Sequence, residues 1–204
     1  GWAAAIGSTP CPKSKVMVSG DITINSGMIY ANAEWESPAI GASVDCDAHN
    51  ITINGGQIEA KGGAQGAGIG TGYSQWGQSK GKGTITINGG TIVAAAGTNE
   101  SSWGADDGLV PLGVVKGDKA SMNIVVTGGS VKACRSDMSA FPAPIAAKDA
   151  AGTDLTLFKA HMQGAASSTM ITEGHIGDIV LGTNYGIKDV YTDAEGYVYF
   201  YLPA

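Results

Sequence analysis

Apolar and polar residues alternate along this chain in short bursts. Ile51-Thr52-Ile53 is followed by Asn54-Gly55-Gly56 and then by Gln57-Ile58-Glu59-Ala60. A period of two over so few residues marks short, half-buried strands. The Asn-Gly-Gly between them cannot stay extended, because Gly supplies positive φ and Asn tolerates the left-handed region. The same pattern opens at Ile22, Ile85 and, in a weaker copy, Ile124, so the starts are 29, 34 and 39 residues apart. A repeat of that length predicts a solenoid. Asn-Gly also favours a hairpin, but the whole strand–turn–strand–loop–Ile-Gly block recurs. A parallel stack of coils accounts for that recurrence; separate hairpins do not.

In such a stack equivalent residues lie above one another, about 4.8 Å apart. The inward columns are then Ile22/Ile51/Ile85/Ile124, Ile24/Ile53/Ile87/Val126, Ile29/Ile58/Ile92/Val131 and the small Ala31/Ala60/Ala94/Ala133. Asn25, Asn54 and Asn88 stack at the turn, each side-chain amide bonding to the next. A third side carries Ile6, Ile40, Ile69, Leu112 and Ile145 among small residues and Pro. Length varies just before that side (32–38, 61–67, 95–108) and just after it (43–49, 71–83, 114–121). Extruded loops of this kind are where solenoids carry function.

After about Ala151 the pattern decays. Leu155–Phe158 and Ile179–Leu181 are possible strands, and residues 188–202 read as strand, turn, strand. A solenoid exposes its core and a strand edge at each end, so this aromatic-rich stretch is expected to be a cap. An aromatic binding patch on it is the competing reading. The predicted fold is thus all-β: a right-handed parallel β-helix of about four to five coils with a C-terminal β-hairpin-like cap. Residues 1–151 form the coils, and 152–204 an irregular final coil and cap within one continuous domain.

The motif Ile-Thr-Ile-Asn-Gly-Gly-x-Ile-x-Ala, followed by Gly66-Ala67-Gly68-Ile69-Gly70, resembles repeats in large secreted or cell-surface proteins of gut-type bacteria. These look like β-helices of the pectate-lyase type. The resemblance spans about residues 1–150 and implies the fold. It brings no catalytic motif, because such helices serve as adhesins, glycan-binding modules and polysaccharide-cleaving enzymes alike. It also implies an extracellular or cell-surface location and attachment to other domains of a longer chain. The opening Trp2–Gly7 fits the same expectation, since it matches the end of a unit.

Composition narrows the partners. The net charge is −6 and Arg135 is the only arginine, which excludes nucleic acid as a partner. No apolar run is long enough to span a membrane. Three cysteines, Cys11, Cys46 and Cys134, are too few for a disulfide framework. Unpaired structural thiols are the expected state, with a Cys11–Cys46 bridge between neighbouring coils as the alternative. Cys46-Asp47-Ala48-His49 has two ligands and no second pair, which argues against zinc.

The best candidate site is aromatic. Trp2, Trp35 and Trp103 each precede the Ile-Gly side, and Trp76 follows it. Flat indoles beside neutral polar groups suit sugar recognition, so Trp35, Trp76 and Trp103 are the expected stacking residues. Tyr73, Gln75, Glu36 and Asp106 are their polar neighbours. The competing reading has each indole folding down to seal a corner of the core. A glycan or polysaccharide is the expected ligand of a non-catalytic binding or adhesive module, with a structural stalk as a further alternative. A glycan-degrading enzyme is the rival from another class, with Glu36, Asp106 and Asp107 as its acids. A lyase would also need a cation to neutralise a uronate; the outward positions offer only Lys132, and Arg135 is one isolated candidate. No cofactor is expected. Calcium is possible at Asp45 and Asp47, because it accepts oxygen ligands on irregular loops. His49, His161 and His175 read as structural or solvent-exposed.

Overall fold

The computed structural model describes residues 2–13, 20–74, 81–98, 109–115, 120–162 and 168–204. Strands come in repeating triplets. β1 (Ile6–Gly7) closes a first turn of the chain and is followed by β2 (Ile22–Ile24), β3 (Met28–Asn32) and β4 (Ile40–Ala42). The next coils contribute β5 (Ile51–Ile53), β6 (Gln57–Lys61) and β7 (Ile69–Thr71), then β8 (Lys82–Ile87), β9 (Thr91–Ala95) and β10 (Leu112–Gly113). β11 (Ser121–Val126) and β12 (Ser130–Cys134) belong to the last. Every third strand pairs in parallel, giving three four-stranded sheets ordered β1-β4-β7-β10, β2-β5-β8-β11 and β3-β6-β9-β12. This is a right-handed parallel β-helix.

The register is the one the repeat predicts. Ile22, Ile51, Ile85 and Ile124 pair in turn, as do Ile24, Ile53, Ile87 and Val126. Ile29, Ile58, Ile92 and Val131 form the next column, with Ala31, Ala60, Ala94 and Ala133 beside it. Within the middle coils these side chains are sealed, whereas Ile22 and Ile29 on the first coil are only half-buried. The asparagine ladder forms too: Asn54 donates to Asn25 and Asn88 donates to Asn54, each at 2.9 Å. Thr127 extends it, its hydroxyl donating to Asn88 at 2.7 Å.

The third side shows why its apolar residue is followed by glycine. Ile6, Ile40, Ile69 and Leu112 pair in register, and so do Gly7, Gly41, Gly70 and Gly113. Gly41 has φ +137°, and a Cβ there would lie 2.0 Å from the Gly70 carbonyl oxygen. No side chain fits between coils packed so closely. The column ends at Leu112, because Ile145 does not extend it. Ile145 is buried in the core, but its N–H donates to the Tyr201 hydroxyl at 3.3 Å. The cap therefore takes the place of a further coil edge.

In the cap, β13 (Leu155–His161) pairs antiparallel with β16 (Tyr197–Pro203) over seven residue pairs. A small hairpin, β14 (Gly174–Ile176) with β15 (Ile179–Leu181), lies between them in sequence. The expected strand at 188–191 is absent. The turn after it forms, with Asp193 N–H donating to the Tyr197 carbonyl at 2.8 Å. The strand cannot pair with 197–202 because its backbone is bonded to the coils: Gly90 N–H donates to the Lys188 carbonyl and Tyr191 N–H to Thr91 Oγ1. Tyr185, Val198, Phe200, Tyr201 and Leu202 are buried in the same cluster as the isoleucine columns. They cover the core at the C-terminal end.

Candidate functional site

The loops flanking the third side were expected at two separate places, yet they meet. Ala39-Ile40-Gly41 is so short a side that the chain doubles back around it. The Ser37 and Ser43 hydroxyls are 3.2 Å apart, and in the next coil Ala67 N–H donates to the Thr71 carbonyl at 3.0 Å. Residues before and after the side therefore build one lobe on the outside of the helix.

The lobe has its own small core. Cys11 and Cys46 form a disulfide with Cα atoms 5.2 Å apart and pack with Ala42, apart from the main cluster. This corrects the expectation of unpaired thiols. Cys11 and Cys46 are 35 residues apart in sequence, but neighbouring coils place them side by side: Cys11 N–H donates to the Val44 carbonyl. The unpaired reading holds for Cys134, which is free and buried at the end of β12.

Trp35 occupies a tight turn with φ 53° and is 61% exposed. Its carbonyl accepts the Gln65 N–H at 3.2 Å, which pins the turn to the coil above. Trp2 is 50% exposed, while its carbonyl accepts hydrogen bonds from both Ser37 and Ser43. These two indoles do not seal corners. The Trp2 carbonyl instead satisfies the buried Ser37 and Ser43 hydroxyls. The Trp2 side also borders a cleft of about 350 Å³, lined by Pro10, Cys11, Val44 and Asp45.

Glu36 follows Trp35 but turns inward and is nearly buried. Burial first, and the neighbouring Asp45 second, push its carboxyl above the usual range. Asp45 is itself buried, with φ 58°, and accepts the Ser74 hydroxyl at 3.0 Å. Tyr73 N–H donates to the Glu36 carbonyl at 2.9 Å. The lobe thus joins an exposed indole, Tyr73 and two buried carboxyl groups. Gln65 occupies the place in the second coil that Glu36 holds in the first, and it too is buried. Among the described residues its side-chain amide has no hydrogen-bond partner.

Of the residues singled out from sequence, Trp35, Glu36 and Tyr73 are therefore brought together. Trp76, Gln75, Trp103, Asp106 and Asp107 lie outside the described residues. Asp45 and Asp47 engage different neighbours, since Asp47 accepts the Gly81 N–H at 2.9 Å. Among the described residues no group of three or more His, Cys, Asp and Glu could hold a metal ion. His49 is buried; burial holds its pKa below the ordinary range, against the Asp47 carbonyl and the charge of Asp21. His161 and His175 are exposed. Lys132 is bonded to Asp193 at 2.9 Å and so is not an open cation. The closeness of Asp45 to Glu36 escaped the sequence reading, although the two residues flank the same Ile40 side.

A family model described as a beta helix repeat matches residues 51–73 and 85–105. The chain carries a parallel β-helix repeat region. The matched segments fall on its second and third coils, where the columns are most regular. No curated protein and no solved structure matches the chain. No helix among the described residues is long and apolar enough to cross a membrane.

Proposed function

We propose that this β-helix is a non-catalytic glycan-binding or adhesive module of a larger secreted or surface-displayed bacterial protein. The observation that carries the reading is Trp35, held at a fixed backbone angle in a turn bonded to the next coil, with its indole open to solvent. A rigid, exposed aromatic face beside polar groups is what stacking on a sugar ring requires. Trp76, Trp103, Gln75 and Asp106 belong in sequence to the same loop families and are proposed as further sugar contacts, together with Tyr73 and Glu36. The Cys11–Cys46 disulfide supports an oxidising, extracellular setting.

A glycan array probed with wild type and Trp35→Ala tests the proposal. Signals present for wild type and lost in the variant support it; identical signals overturn it. A second reading has one specific observation behind it. Glu36, with its raised carboxyl pKa, and the neighbouring Asp45 resemble the acid and base of a glycan-cleaving site. Release of reducing ends that is lost in Glu36→Gln would favour that reading. Inertness in both assays would leave a structural stalk.

A further inference from the structure

Coils of a solenoid ordinarily touch only their immediate neighbours, so its ends can open one coil at a time. One segment of this chain departs from that rule. Residues 185–191 leave the cap and run back along the column of turns, across the strands. Gly129 N–H donates to the Gly186 carbonyl at 2.7 Å, Gly90 N–H to the Lys188 carbonyl at 2.6 Å, and Gly56 N–H to Asp189 Oδ2 at 3.0 Å. These three donors are the same residue of the repeat in the fourth, third and second coils. Thr91 Oγ1 adds a bond to the Asp189 carbonyl at 3.1 Å and accepts from Tyr191 N–H at 2.6 Å.

The segment also lies close over the glycine-rich turns it crosses. The second glycine of each turn (Gly27, Gly56, Gly90, Gly129) has positive φ in all four coils. The first glycine does not, but space there is closed from two sides, by the preceding coil and by this segment. A Cβ on Gly128 would lie 2.2 Å from the Asn88 carbonyl oxygen of the preceding coil and 2.6 Å from that of Gly186, on Gly89 2.9 Å from the Asn54 carbonyl oxygen and 3.0 Å from that of Lys188, and on Gly55 3.1 Å from the Asn25 carbonyl oxygen and 2.6 Å from Asp189 Oδ2. In the first coil the segment no longer covers the turn; only the Lys188 ammonium reaches it, donating to the Asn25 carbonyl at 3.2 Å. The residue at that position is Ser26, and it is exposed.

We propose that residues 185–191 are a strap that couples the second, third and fourth coils to the cap, so that these open together while the first coil opens on its own. Hydrogen exchange of the whole chain, read by segment, tests this. In wild type, β5 and β6 should exchange at the slow rate of β8, β9, β11 and β12, with β2 and β3 faster. Asp189→Ala removes the acceptor at the second coil and should speed exchange in β5 and β6 about tenfold. The later coils and the cap should not change. Asp189→Asn keeps an acceptor oxygen and should stay close to wild type. Should Asp189→Ala fail to fold, Thr91→Val loosens the same end of the strap and should give the same selective acceleration. The proposal is overturned if β5 and β6 keep their wild-type rate, or if every coil accelerates equally.

Discussion

The stacked columns and the loop lobe solve burial in opposite ways. In the columns, isoleucine sits on isoleucine and glycine on glycine, and each position is defined by its copy one coil away. In the lobe polar groups are buried around a small disulfide-linked core: Ser37 and Ser43 donate to the Trp2 carbonyl, Asp45 accepts from Ser74, and Glu36 and Gln65 are buried with them. The columns tolerate almost no variation, because the coils are about 4.8 Å apart whatever the side chains do. The lobe is held by a few specific bonds and is free to differ from coil to coil. A scaffold that must repeat is thereby separated from a surface that need not.

The sharpest way to break the columns is Gly41→Ala. Its Cβ would meet the Gly70 carbonyl oxygen at 2.0 Å at an unfavourable φ. A loss of about 4 kcal/mol or more is expected in denaturant unfolding, or no folded protein at all. Removing the lobe's staple should cost less. Cys46→Ser is expected to lower stability by about 3 kcal/mol, and wild type under reductant should lose a similar amount. Equal stability with and without reductant would show that the bridge adds nothing. Asn54→Ala takes away a donor to Asn25 and an acceptor for Asn88, with an expected loss of about 1–2 kcal/mol.

Glu36 separates the two regions by pH. Its folded-state pKa lies above the ordinary value of 4.5, so the folded form holds the proton more tightly than the unfolded one. The stability this gives is fully present below 4.5 and is lost as pH rises through the raised value. Glu36→Gln should flatten that fall in stability as pH rises above 4.5. An unchanged pH profile would mean that the burial of Glu36 has no energetic consequence.

How much of this was legible depends on the same division. The isoleucine, alanine and asparagine columns could be written from the sequence, because periodicity carries them from coil to coil. The antiparallel partner of Tyr197–Pro203 could not be, because Leu155–His161 is distant in sequence and nothing repeats there. Turn chemistry at Asp193–Tyr197 was readable, but it pointed to the nearer segment, Lys188–Tyr191. That segment's backbone is bonded to Gly90 and Thr91 instead. The lobe was half legible. Trp35, Glu36 and Tyr73 were picked out by type and position, while the Cys11–Cys46 bridge and the approach of Asp45 to Glu36 depend on the doubling-back around Ile40. No short motif announces that turn.

The smallest expected effect on stability belongs to the residue expected to matter most for binding. Trp35→Ala removes an exposed side chain and should change unfolding free energy by no more than about 0.5 kcal/mol. The decisive measurement is therefore the affinity of this variant and of wild type for a glycan captured by wild type, alongside their melting temperatures. At least a tenfold weaker affinity at an unchanged melting temperature is expected for Trp35→Ala. Equal affinity in the two proteins would contradict it.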